Sequence, residues 1–147
     1  MAERSEREIL NYLIGLCRDA ERGFVLAADE ALTPELRQKF LDLAEQRRRF
    51  AVDLLPHAHR LGGPAGTDGT ATAALHRAWM QCKARLARDR DHAILSEAER
   101  GERFALAAYD DAVNDILPPG ARDLVEAQDE NLRNTVFDLL SELRREG

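Results

Sequence analysis

Aromatic residues make up only 5% of this 147-residue chain, and it has just two cysteines, five prolines and nine glycines. Two cysteines, Cys17 and Cys82, make no disulfide framework. So little proline and glycine, beside 44% hydrophobic residues, argues against a disordered chain. β-Branched residues are sparse as well, which disfavours strands. Positive charge is in deficit: 21 Lys and Arg face 27 Asp and Glu, a net charge of −6. Nucleic-acid binding is therefore not expected, because phosphate contacts need a positive surface. No run of 18 apolar residues occurs, so no membrane association is expected. Residues 1–8 are charged and lack the apolar stretch of a signal peptide, which gives a cytoplasmic expectation. What is abundant is Ala, Leu, Glu and Arg, all good helix formers. The length suits one domain with a real core, needing no staple. These readings predict a single all-α domain over 1–147.

Apolar residues at three- and four-residue spacing predict four long helices. The first covers about 5–31, through Ile9, Leu13, Leu16, Cys17, Ala20, Phe24, Ala27 and Ala28. Ser5 with Glu8 resembles a capping box. The second opens at Thr33-Pro34-Glu35, a cap residue, a first-turn proline and an acid. Its stripe is Leu36, Phe40, Leu43, Ala44, Phe50, Ala51, Leu54 and Leu55, with Pro56 expected to kink the end. A Gly-rich link over 62–70 leads to a short helix over about 70–88, carrying Leu75, Trp79, Cys82 and Leu86. Trp79, the lone tryptophan, is expected to anchor that helix on the rest. The third long helix covers about 91–117, its stripe running from Ile94 to Ile116. The fourth covers about 119–145, from Leu124 to Leu143. Each long helix has about 27 residues, or about 40 Å. Tight turns join the first two and the last two. The expected architecture is two antiparallel hairpins joined by a long crossover that contains the short helix, a ferritin-like four-helix bundle.

A faint repeat supports two related hairpins. Ala20-Glu21-Arg22-Gly23 recurs as Ala98-Glu99-Arg100-Gly101, each string preceded by an acid, Asp19 or Glu97. Gly23 and Gly101 are expected to let helices approach closely. The segments Cys17–Phe24, Leu75-His76-Arg77-Ala78-Trp79-Met80 and His92–Glu102 resemble an uncharacterised bacterial family of ferritin-like four-helix-bundle domains of unknown function. The resemblance runs from about Ile9 to Arg144. It implies the ferritin-like fold and no activity. Members of that family often carry a His late in the last helix; the apolar run near Val136 has none.

A ferritin-like di-metal site takes a Glu from each of two helices and Glu-x-x-His from each of the other two. This chain has no Glu-x-x-His, and its four histidines are His57, His59, His76 and His92. Asp89-x-x-His92 is the one carboxylate-x-x-His string, and helix capping by Asp89 or Asp91 accounts for it better. On a helical projection Glu45 points away from the second stripe while Arg47 lies inside it. Glu102 falls within the third stripe and Gln128 within the fourth. Arg47, Glu102 and Gln128 are thus a candidate buried polar cluster, with Arg47 the partner of Glu102 and Gln128 a further donor to it. A cation where a ligand should sit argues for a register-fixing network; the rival reading is a remnant metal site.

No catalytic, metal or cofactor site is expected. The first reading of function is a non-enzymatic helical bundle acting through protein contacts, a self-associating homodimer in a stress-related setting. The alternative is a ferritin-like metal-binding oxidoreductase.

Overall fold

A computed structural model describes residues 5–62 and 89–146. Four helices fill them: α1 Glu6–Glu30, α2 Pro34–Arg60, α3 Arg90–Val113 and α4 Pro119–Glu146. Among the described residues there is no strand. The expected short helix over 70–88, with Trp79, Cys82 and His76, lies outside them.

Local chemistry sets the helix ends. Ser5 Oγ accepts the Glu8 N–H at 3.1 Å and so caps α1. Pro34 opens α2, where a missing N–H costs nothing. Thr33 occupies the cap position without a side-chain cap bond. Asp89 caps α3 by accepting the His92 N–H at 3.0 Å. That contact accounts for the Asp89–His92 spacing without a metal. Helix α2 runs through Pro56 to Arg60, with the proline on the exposed side, where water replaces the lost helical bond, and it ends at Leu61. One expectation needs correction. Helix α3 stops at Val113 rather than near 117. Ile116, expected on the buried stripe, is therefore in the turn and 77% exposed, while Leu117 is the buried turn residue.

Helix directions follow from paired residues. α1 and α2 form one hairpin through a turn at 31–33; α3 and α4 form the other through 114–118. Across the hairpins α1 packs on α3 and α2 on α4. Cys17 meets Tyr109, and the α1–α2 turn meets Asp91, so α1 and α3 are antiparallel. Lys39 meets Asp138 and Phe50 meets Gln128, so α2 and α4 are antiparallel too. α2 and α3 then lie diagonally opposite and run the same way. α2 ends at the opposite end of the bundle from the start of α3.

Each helix turns one apolar face inward. One half of the core gathers Leu10, Leu13, Ile14, Leu54, Ala121, Val125 and Leu132. The other gathers Phe24, Phe40, Ile94, Leu95, Ala98 and Leu139. Between the two halves lies the polar centre described below.

The hairpin turns are tied by charged side chains. Asp91, at the start of α3, accepts the N–H of Leu32 at 2.7 Å and of Thr33 at 3.1 Å. One carboxylate thus satisfies two backbone donors of the turn that leads into α2, at the positive end of that helix. At the other hairpin Arg122 donates to the Val113 and Asp115 carbonyls at 3.1 and 2.7 Å. Asp91→Ala is expected to cost about 1–2 kcal/mol, since both charge-assisted bonds go while water reaches the freed donors. Chemical denaturation measures the loss. Hydrogen exchange should quicken first at the Leu32 and Thr33 amides; unchanged exchange there would refute the pin.

Candidate functional site

Arg47 of α2 and Glu102 of α3 meet at the centre of the bundle. Both side chains are 1% exposed. Arg47 Nη1 donates to Glu102 Oε1 at 2.6 Å, and Nη2 pairs with Oε2, a bidentate fork on the carboxylate. The pair spans the diagonal, joining one hairpin to the other. Arg47 Nε also donates to Gln46 Oε1 at 3.3 Å. The guanidinium carbon lies 5.6 Å from the ring centres of both Phe24 and Phe50. Two aromatic rings and one carboxylate therefore receive its charge. Phe24 in turn stacks on Phe40, with centroids 6.1 Å apart. Burial opposes the charge on Arg47, yet the Glu102 carboxylate outweighs it and raises the guanidinium pKa.

Gln128 is buried as well, but its hydrogen bonds go to other partners than this pair. It takes part in a second network. Tyr109 Oη donates to Gln128 Oε1 at 2.6 Å, and Gln128 Nε2 donates to the Phe50 carbonyl at 3.3 Å. Cys17 Sγ lies 3.1 Å from Tyr109 Oη. Since the phenol proton points to Gln128, the thiol is the donor there. One chain of bonds thus runs from α1 through α3 and α4 to α2. Gln128 as a donor to Glu102 is corrected: its amide is already committed to Tyr109 and Phe50. By periodicity Cys17 belongs to the first apolar stripe and Tyr109 falls within the third, between Ile94 and Ile116. The available signal was the phenol, which needs a partner wherever the ring is fully buried.

The chemistry of this centre is that of a closed network. Burial pushes the Cys17 thiol up to about 11, against the pull of its Tyr109 bond and of Arg47. It is a protonated thiol at neutral pH, so no nucleophile is offered. Burial first, and then Cys17, raises the Tyr109 phenol well above its usual value. Glu45 is turned outward, accepting from Arg48 at 2.9 and 2.6 Å. His57 and His92 are half-buried at opposite ends of the bundle, and His59 is exposed. Among the described residues no group of three or more His, Cys, Asp and Glu is placed to hold a metal ion.

The repeated strings sit at equivalent places. Asp19 pairs with Arg22 at 3.7 Å and Glu97 with Arg100 at 3.4 Å, each acid buried and each arginine largely exposed. Gly23 is buried on α1. Gly101 lines a small cavity on the α1–α3 seam with Ala20, Phe24 and Glu102. Extended by one residue, the same alignment sets Phe24 of α1 opposite Glu102 of α3. One hairpin thus offers an aromatic ring where the other offers a carboxylate.

A family model described as a domain of unknown function, DUF2383, matches residues 5–115. No curated protein and no solved structure matches the chain.

Proposed function

Because the chain belongs to the DUF2383 family of domains of unknown function, its chemistry must be read from its own core, and we propose a non-enzymatic helical bundle that acts through protein contacts. The observation that carries this reading is the fork of Arg47 on Glu102 at the bundle centre. A di-metal bundle needs inward carboxylates and imidazoles there to neutralise its ions. Here a guanidinium neutralises the Glu102 carboxylate, and Phe24 stands in the position related to Glu102 by the repeat. The parallel run of α2 and α3, at the diagonal of two antiparallel hairpins, supports the finer reading of a ferritin-like topology. The bundle on this view keeps the architecture and has its resident cation supplied by an arginine.

Elemental analysis after purification without added metal tests the proposal, together with iron, manganese and zinc titrations of the wild type and of Glu102→Gln. No stoichiometric metal is expected in either protein. Metal bound to the wild type and lost in the variant would favour the oxidoreductase reading instead.

Self-association as a homodimer, a cytoplasmic location and a bacterial, stress-related setting go with the contact role. Large apolar side chains left outside, among them Phe137 of α4 at 71% exposed and Phe104 of α3, support a contact surface. Sedimentation of the purified chain tests the dimer directly.

A further inference from the structure

Outside the polar centre, the seam between α3 and α4 holds two carboxylates on one arginine. Arg133 Nη2 lies 2.7 Å from Asp110 Oδ1 and 3.2 Å from Asp129 Oδ2. The side chain of Asp129 is 13% exposed, that of Asp110 41%. The other Asp129 oxygen, Oδ1, is fully buried and accepts no hydrogen bond. A buried carboxylate oxygen without a donor is costly while it carries charge. A proton on Asp129 turns the carboxylate into a donor and removes that cost. The Asp110 carboxylate, held from the next helix on the same Arg133 Nη2, is placed to accept it. We propose that Asp110 and Asp129 form a proton-operated latch across the α3–α4 seam, sharing a proton in mildly acidic conditions and repelling each other above them.

The charge count around Asp129 is unbalanced. From α3 the group facing it is Asp110; from its own helix it is Arg133. Glu126 is turned to Arg122. α2 sends Lys39 to Asp138 and Glu142, more than two turns further along α4. α1 lies on the diagonal. Among the described residues two negative groups therefore share one positive group. Burial, then the Asp110 contact, raises the Asp129 pKa from the ordinary 3.8 to about 6, and Arg133 only partly offsets this. A carboxyl held above its unfolded value binds its proton more tightly when folded. Its contribution to stability is full below pH 3.8 and is lost as pH rises through about 6.

The test is carboxyl-carbon NMR titration of the full chain, paired with denaturation between pH 4 and 7.5. Asp129 is expected to titrate near 6 in the wild type. Its midpoint should fall in Asp110→Asn and rise in Arg133→Gln. Asp129→Asn imitates the protonated group. At pH 7 its unfolding constant should be about three- to tenfold below that of the wild type, a modest figure because the cluster is partly solvated. The two proteins should converge toward pH 4. An Asp129 midpoint in the usual carboxylate range overturns the latch. So does a midpoint unmoved by Asp110→Asn, or a ratio of unfolding constants that is flat with pH.

Discussion

Glu102→Gln is expected to cost about 3–5 kcal/mol, because it keeps the shape of the side chain while leaving Arg47 charged and buried without a counter-charge. Water cannot reach the guanidinium, since both side chains are sealed from solvent. The rings of Phe24 and Phe50 remain beside it, but a quadrupole is a weak substitute for a carboxylate. Removing both charges should behave differently. Arg47→Met combined with Glu102→Leu is expected to recover most of the loss, because the desolvation cost of both ions disappears with them. Urea denaturation of the wild type, Arg47→Met, Glu102→Leu and the double variant closes the cycle, with Glu102→Gln measured beside them. A loss below about 1 kcal/mol in Glu102→Gln would mean that solvent reaches the pair and that it is worth only a surface ion pair.

Phe24→Ala is expected to remove about 3–5 kcal/mol as well, by a different route. Phe24 is buried, stacks on Phe40 and carries one face of Arg47. Truncation leaves a hole beside the existing cavity on the α1–α3 seam, where Ala20 and Ala98 are too small to fill it. It also withdraws one of the two rings against the guanidinium. Phe24→Leu should cost less than half as much, because it refills most of the volume. Equal losses for Ala and Leu would place the cost in the lost ring contact with Arg47 rather than in the cavity.

The helices were legible because each stripe repeats at the period of one turn. Phe40, Arg47 and Leu54 are separated by seven residues each, and all three are buried. Glu102 was legible in the same way: a carboxylate between Ala98 and Ala105 has nowhere to go but inward. Periodicity gives direction, however, and not reach. Gln128 points inward as expected, but whether it meets Arg47 or Tyr109 depends on how far α4 slides against α2 and α3. Asp91 shows the same limit. As a first-turn acid it reads as a local cap, whereas it binds the turn of the other hairpin, 58 and 59 residues away in sequence. Ile116 was misplaced because its spacing continues the stripe past the end of α3. Pairings across the bundle are set by tertiary packing, to which a stripe on one helix is blind.

The fork of Arg47 on Glu102 also constrains how this chain can drift. Either residue changed alone leaves its partner stranded, while both changed together to apolar residues leave a sound core. A path from one acceptable core to the other therefore passes through a poorly folded ancestor, and selection on folding blocks its first step. Neutral drift can rework the outer faces of all four helices while these two positions stay locked. A lineage that escapes must do so by a paired change, or after gaining enough stability elsewhere to survive the intermediate.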